Sequence, residues 1–192
     1  MIKSLYPLFQ KWCQNGSIWI ISDTHFEDSD CHLMSPFWIP PEEHVRLLKI
    51  RIHKNDTLIH LGDVGNPQYI DQIKGYKVLI TGNHDILSKV QDSFDEVFTG
   101  PLFIADRIVL SHEPLYGLEG IALNIHGHDH GGLMCKYEES LDCYTHINLA
   151  SNVCNFIPYN LGEGIKRGDL KNIQSYHRVT IDKATAKKER HD

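Results

Sequence analysis

The feature that most constrains this chain is a series of short apolar segments, each followed directly by a cluster of polar residues. The segments are rich in Ile, Val and Leu and are too short for helices, so they predict buried β-strands. We expect these strands at residues 18–21, 56–61, 76–80, 107–110, 122–125, 146–149 and 178–181. The polar clusters then fall at the carboxyl ends of the strands of a β-sheet.

Helical patterns separate the early strands. They predict helices at residues 4–14, 41–54, 67–74, 86–93 and 162–170. The helix at 41–54 begins with Pro41 and two glutamates, which suit the first turn of a helix. Prolines at 36, 40 and 41 predict a loop over 28–40. Strands and helices alternate early and strands dominate later, a pattern typical of an α/β fold.

No linker composition interrupts the chain, so we expect one domain that spans residues 1–192. Residues 1–16 are an N-terminal extension before the first strand, and residues 183–192 are predicted to be a flexible basic tail. From Lys166 onward there are eight Lys and Arg against four Asp and Glu, although the net charge of the chain is −6. That acidic balance argues against a general nucleic-acid-binding protein, so nucleic acid is a partner that we do not favour.

The five cysteines form no C-x-x-C pair. An odd number with irregular spacing favours reduced thiols, and therefore a cytoplasmic protein. The N-terminus lacks the features of a signal peptide, and no apolar run approaches the roughly 20 residues that a membrane span needs. We therefore expect no membrane partner, and the pattern does not indicate an oligomeric state.

Polar clusters at five strand ends share the same types of side chain. They are Ser22-Asp23-Thr24-His25, Gly62-Asp63, Gly82-Asn83-His84-Asp85, Ser111-His112-Glu113 and His126-Gly127-His128-Asp129-His130. Carboxylate, imidazole and amide donors suit Mn²⁺, Fe or Zn²⁺. Asp23 and His25 are two residues apart in an extended segment, as are His128 and His130, so each pair points to one side. Because ligand sites assemble at strand carboxyl ends, we expect a metal site there.

The order of these clusters resembles the calcineurin-like metallophosphoesterase superfamily. The resemblance covers about residues 17–160, and the phrases SDTHF, HLGD, GNHD and HEPL are similar to those of small bacterial and phage phosphoesterases. It implies an α/β fold that is a four-layer α/β/β/α sandwich, with two mixed β-sheets flanked by helices. It also implies two divalent metal ions at the sheet edges, with Mn²⁺ favoured and Fe, Zn²⁺ or Ni²⁺ as alternatives.

The resemblance further implies which residues hold the metals and the substrate. One metal would be bound by Asp23, His25 and His130, and the other by Asn83, His112 and His128, with Asp63 bridging both. Asn83 and His84 would bind substrate. His84 would also be the catalytic residue that donates a proton to the leaving group. The chain departs from the subgroup at Glu27-Asp28, where relatives often have Gly-His.

The remaining polar and aromatic residues near these motifs have less direct roles. We expect Asp85 to cap the following helix, with orientation of a neighbouring group as the alternative. His126 is expected to form hydrogen bonds around the metal ligands, and His60 to be a buried imidazole of the core. Three aromatic residues line either the substrate pocket or the core, namely Phe26, Trp38 and Tyr116.

The predicted function is hydrolysis of a small phosphodiester, nucleotide-like or other, by a hydroxide that bridges the two metals. No arginine lies next to a ligand motif, and several acidic residues do. A phosphomonoester dianion is therefore less favoured than a diester. A phosphomonoesterase, a nuclease and a non-catalytic scaffold of the same fold are the alternatives.

Overall fold

A computed structural model describes residues 3–4, 16–105, 108–117, 123–138 and 143–167. They form the strands β1 (Lys3–Ser4), β2 (Ile18–Ile21), β3 (Thr57–His60), β4 (Tyr76–Ile80), β5 (Glu96–Phe98), β6 (Leu102–Ala105), β7 (Ile108–Leu110), β8 (Leu123–His126), β9 (Cys135–Glu138), β10 (Cys143–Asn148) and β11 (Tyr159–Asn160). The helices are α1 (Cys31–Met34), α2 (Pro41–Arg51), α3 (Gln68–Asp71), α4 (Leu87–Val90) and α5 (Leu161–Arg167), with a 3₁₀ helix at Gln91–Ser93. None of the helices in these ranges is long and apolar enough to cross a membrane.

One sheet has five strands in the order β11-β2-β3-β4-β5. Strands β2 to β5 run parallel, and β11 runs antiparallel to β2. Every residue of β3 is buried, as expected for a central parallel strand that has no solvent-facing side. Helix α2 buries Val45 and Leu48 in the same core.

The other sheet has six strands in the order β1-β6-β7-β8-β10-β9, with both parallel and antiparallel pairs. The two sheets meet at Ser22, whose backbone N–H donates to the carbonyl of Leu149 at 2.9 Å. A single apolar core contains residues of both sheets. The carboxyl ends of the strands that carry the polar clusters therefore lie close together, although the clusters are far apart in sequence.

The α/β class with two mixed β-sheets and helices is confirmed, while the stacking in four layers stays a prediction. Helix α2 begins at Pro41 as predicted. A continuous loop over 28–40 is wrong, because Cys31–Met34 form α1. The sequence pattern does not predict β1, β5, β6, β9 or β11, which lie at or next to sheet edges and are short.

Four predictions concern parts of the chain with few or no described residues. In the predicted N-terminal extension, Lys3–Ser4 pair with β6 as an edge strand. The rest of the predicted helix at 4–14 lies outside the described residues. The predicted strand at 178–181 and the predicted basic tail lie outside them as well.

Candidate metal centre

The seven predicted metal ligands all follow strand carboxyl ends, and the structure brings them together. They are Asp23 and His25 after β2, Asp63 after β3, Asn83 after β4, His112 after β7, and His128 and His130 after β8. Two sets have ligand atoms that all lie within 4.8 Å of one another. We call Asp23, His25 and His130 the buried group, and Asp63, His112 and His128, together with Asn83, the open group.

The buried group has unpaired polar atoms that face one another. His25 Nε2 lies 3.9 Å from Asp23 Oδ1, and His130 Nε2 lies 3.5 Å from the same oxygen. Asp23 Oδ1 and His25 Nε2 are both fully buried and have no hydrogen-bond partner. Buried polar atoms without partners are costly and rare. A cation held between them satisfies both, so the residues of this group fit a metal ion.

In the open group, several donor atoms converge on His112 Nε2. This nitrogen lies 3.3 Å from Asp63 Oδ2, 2.8 Å from Asn83 Oδ1 and 3.1 Å from His128 Nδ1. One ring nitrogen carries at most one proton, so it cannot satisfy all of these neighbours through hydrogen bonds. The donor set of carboxylate, amide oxygen and two imidazoles fits a divalent ion of intermediate softness.

Asp63 lies between the two groups. Its Oδ2 is 3.7 Å from His25 Nε2 of the buried group and 3.3 Å from His112 Nε2 of the open group. Its Oδ1 accepts a hydrogen bond from the backbone N–H of His84 at 2.9 Å. One carboxylate oxygen therefore faces nitrogen ligands of both groups, which is the arrangement that a bridging ligand needs.

Hydrogen bonds outside the two groups fix the orientation of three imidazoles. His112 Nδ1–H donates to the carbonyl of Leu61 at 2.9 Å, and His130 Nδ1–H donates to Asn152 Oδ1 at 2.9 Å. His25 Nδ1 lies 3.2 Å from Asp28 Oδ2. These partners place the proton on Nδ1 and leave Nε2 free as a metal ligand. Sequence reasoning missed Asn152, although it follows the carboxyl end of β10 and obeys the same strand-end rule.

Asp85 holds the turn that carries Asp63. Its carboxylate accepts backbone N–H bonds from Gly82 and Asp63 at Oδ2 and from Val64 at Oδ1, all at 2.9 Å. Helix α4 begins after Ile86 without a side-chain cap. The prediction that Asp85 caps this helix is therefore wrong, and the alternative of orienting a neighbouring group is the one observed.

Four ligand residues have left-handed backbone conformations, which is unusual for residues with side chains. Their φ angles are 54° at Asp23, 40° at His25, 56° at Asp63 and 66° at His128. Such conformations cost about 1–3 kcal/mol each and cluster at functional sites. The backbone also packs tightly here, since a Cβ at Gly127 would collide with the carboxylate of Asp23.

Burial and neighbouring charges shift the pKa values of the predicted ligands in different directions. Burial raises the pKa of Asp23 despite the nearby His112. Burial also tends to raise the pKa of Asp63, but the hydrogen bond and charge of His112 lower it to about 2. Burial lowers the pKa of His25. Burial is also the largest single influence on His112 and lowers its pKa, but the hydrogen bond to Asp63 and the charges of Asp23 and Asp63 together raise it above its usual value. The open group therefore favours an ion pair between Asp63 and His112.

His84 lies beside the centre without belonging to either group. Its side chain is exposed, and its ring centroid is 5.8 Å from that of His25. The adjacent Asn83 is also exposed. Both side chains are thus accessible from solvent at the edge of the candidate centre.

The two other histidines singled out from the sequence lie away from the ligand atoms. His60 is fully buried, as predicted. It accepts the N–H of Gly62 at Nδ1, and its Nε2–H donates to Thr24 Oγ1. His126 is buried, and its Nδ1–H donates to the carbonyl of Gly127 at 2.8 Å, next to the ligand His128.

The three aromatic residues differ in their surroundings. Phe26 is buried in the core. The ring of Trp38 lies 6.0 Å from that of His25 and 5.8 Å from that of His130. Tyr116 is exposed, and its ring packs on His146 with centroids 4.8 Å apart. Only Trp38 of these three contacts predicted ligands.

No family model matches this chain, and no curated protein shows a significant match. A solved structure, that of a protein of unknown function from Aquifex aeolicus, matches with a TM-score of 0.64 and 23% identity. The match covers 79% of this chain and 99% of that chain. An identity this low supports a shared fold and carries no function. The chain therefore has a fold similar to that of the Aquifex aeolicus protein.

Proposed function

We propose that this protein is a dimetal-dependent phosphoesterase that hydrolyses a phosphodiester. The observation that carries the proposal is the position of Asp63, whose Oδ2 faces His25 Nε2 at 3.7 Å and His112 Nε2 at 3.3 Å. Pairs of divalent ions that share ligands are used for in-line displacement at phosphorus. The unpaired buried atoms of the buried group give independent support for a cation.

The ligand chemistry favours Mn²⁺, with Fe, Zn²⁺ or Ni²⁺ as alternatives. The donors are carboxylates, imidazoles and one amide, and no cysteine belongs to either group among the described residues. When bound, two such ions supply a nucleophile from water near neutral pH and neutralise charge on the phosphoryl oxygens.

Two exposed residues act on the substrate in this proposal, one in the open group and one next to it. Asn83 and His84 bind the phosphoryl group, and His84 donates a proton to the departing oxygen. Proton donation to an alkoxide leaving group contributes about 10²–10⁴-fold in rate. The exposed imidazole of His84 is free to reach a substrate because only its backbone N–H is used by Asp63.

The charges around the centre favour a small phosphodiester over a monoester or nucleic acid. The loops that carry the ligands also carry Glu27, Asp28, Glu113 and Asp129. A monoester dianion has one more negative charge than a diester, and no arginine stands next to a ligand motif in the sequence to bind it. We also propose a cytoplasmic location, because an odd number of irregularly spaced cysteines favours reduced thiols.

The test is hydrolysis of bis-p-nitrophenyl phosphate and p-nitrophenyl phosphate by metal-stripped protein, with and without added Mn²⁺. We expect no turnover without metal, restoration by Mn²⁺, and a higher kcat/KM for the diester. Full activity in stripped protein would contradict the dimetal proposal. A clear preference for the monoester would overturn the diesterase assignment alone. Two bound ions with no turnover of either ester would indicate a scaffold.

A further inference from the structure

Exposed apolar side chains are concentrated in the chain segments that also carry the predicted ligands. Ten large apolar residues are exposed among the described residues, and eight of them lie in segments 22–40, 81–90, 111–117, 127–134 and 149–158, which directly follow the carboxyl ends of β2, β4, β7, β8 and β10. The other two, Ile50 and Ile165, lie on helices α2 and α5. Clusters of exposed apolar side chains mark binding surfaces, whereas single ones need no explanation.

The most exposed members lie close in sequence to the ligands or to Trp38. Phe37 is 83% exposed and precedes Trp38, whose ring lies 5.8 Å from that of His130. Leu133 is 84% exposed and lies three residues after His130. Ile86 and Tyr116 similarly follow Asn83 and His112, and are 53% and 63% exposed. We call Phe37, Ile86, Tyr116 and Leu133 the apolar rim.

The same segments contain more acidic than basic residues, which argues against a polyanion as the ligand of the apolar rim. Residues 22–40, 81–90, 111–117, 127–134 and 149–158 contain one basic residue, Lys89, apart from histidines. One further basic residue, Lys136, lies outside these segments with its Nζ 5.3 Å from the centre of the Tyr116 ring. The same segments contain seven carboxylates, Asp23, Glu27, Asp28, Asp30, Asp85, Glu113 and Asp129. An oligonucleotide or polyphosphate brings a charge on every phosphate, so it would meet repulsion beyond the centre itself.

We propose that the substrate is a phosphodiester with one phosphate charge and an apolar arm, and that the apolar rim binds that arm. This inference rests on the proposed function, since it identifies the substrate class of the same centre. Cations held by the two groups would attract the phosphate, and the arm would gain from leaving water against exposed side chains. An alkyl or aryl ester satisfies both requirements, whereas a phosphate with only polar arms leaves the rim uncovered.

The test uses methyl, butyl and hexyl p-nitrophenyl phosphate with Mn²⁺-loaded protein, at concentrations where each ester is monomeric. All three have the same leaving group and the same single charge, so only the apolar arm changes. Full burial of one methylene changes a binding equilibrium about fourfold. A methylene on an open rim is only partly buried, so we expect about half of that free energy, which corresponds to about twofold. We expect kcat/KM to rise about twofold per methylene, or about 30-fold from methyl to hexyl.

Variants of the apolar rim then test whether these side chains bind the apolar arm. In Phe37→Ser and Leu133→Ser, the ratio between hexyl and methyl esters should fall below about fivefold. Ile50→Ser is the matched control, because Ile50 is 55% exposed but lies on α2, and its ratio should stay near that of the unaltered protein. An unchanged ratio in both rim variants would overturn the inference.

The outcomes separate this inference from the proposed function. Hydrolysis of all three esters at equal rates would overturn the apolar-arm substrate and leave the phosphodiesterase standing. No turnover of any ester by protein with two bound ions would contradict both. Equal rates together with self-association that Leu133→Ser abolishes would assign the rim to a contact between two copies, and would also overturn the inference.

Discussion

The buried and open groups contain similar side chains, yet the protein holds them differently. In the buried group, Asp28 and Asn152 orient the imidazoles from outside, and two polar atoms are left without partners. In the open group, His128 and Asn83 are exposed, and their donor atoms contact His112 Nε2 directly. The buried group is preorganised for an ion, whereas in the open group the donor atoms already contact one another.

This difference predicts an order of metal affinity. An ion that enters the buried group pairs atoms that have no partner, whereas an ion that enters the open group must first separate contacts such as that between His112 and Asn83. Preorganised ligands lose less free energy on binding. We therefore expect the buried group to bind its ion more tightly.

The largest effect is expected from Asp63→Ala, because Asp63 is the one ligand that faces both groups. Metal content should fall from about two ions per chain to less than one, and diesterase activity should fall by about 10³-fold or more. Inductively coupled plasma mass spectrometry and a bis-p-nitrophenyl phosphate assay measure both. Asp30→Ala, at an exposed residue outside both groups, is the control. Retention of two ions by Asp63→Ala would show that Asp63 does not bridge the groups.

A second prediction concerns His84, which belongs to neither group. His84→Ala should keep both ions and slow hydrolysis of an alkyl diester by about 10²–10⁴-fold, because an alkoxide needs a proton to leave. The loss should be much smaller for p-nitrophenolate, which leaves without one. His32→Ala, also exposed, should behave like the unaltered protein. Equal losses for both leaving groups would show that His84 binds the phosphoryl group and does not donate a proton.

A smaller effect, confined to the buried group, is expected from Asn152→Ala. The variant removes the acceptor that holds Nδ1–H of His130, and such losses weaken metal binding about 10–100-fold. Titration with Mn²⁺ followed by electron paramagnetic resonance should show only the tighter of two sites weakened. A change in the weaker site alone would reverse our order of affinity.

The smallest effect is a difference in the pH dependence of the two sites. Metal binding needs neutral imidazoles, so protons compete with the ion. The pKa of His25 lies below its usual value of 6.5, so this ligand stays neutral as the pH falls through that value. The pKa of His112 lies above 6.5, so it is already protonated there. Lowering the pH should therefore release the open-group ion first, which Mn²⁺ titrations at several pH values measure. Release of the tighter ion first would contradict this.

The convergence of the polar clusters could be predicted from the sequence because each cluster follows an apolar strand, whereas the assignment of metal ligands within the clusters came from the family resemblance and stays a prediction. The rule is local, because the β-branched residues that form a strand and the polar residues that follow it stand in one short segment of the sequence. Edge strands such as Glu96–Phe98 were missed because their residues are only partly buried and show no apolar run.

The role of Asp85 could not be predicted in the same way. Its position before a helix suggests a cap, but three backbone N–H groups from two different turns converge on its carboxylate. That convergence depends on how β3 and β4 lie side by side, which no local pattern describes. Asn152 differs, because the strand-end rule applied to β10 would have indicated it.

The hydrogen bond from the His128 backbone N–H to Asp23 Oδ2, at 2.9 Å, joins residues 105 positions apart in the chain. During synthesis, the whole five-stranded sheet except β11 is complete before His128 has been made. A nascent chain at that stage has Asp23 and His25 but lacks His130, so it holds an incomplete ligand set. The buried group forms only when the second sheet docks on the first, and contacts of such long sequence separation form slowly. Under the dimetal proposal, we therefore expect acquisition of the tighter ion to report the completion of folding.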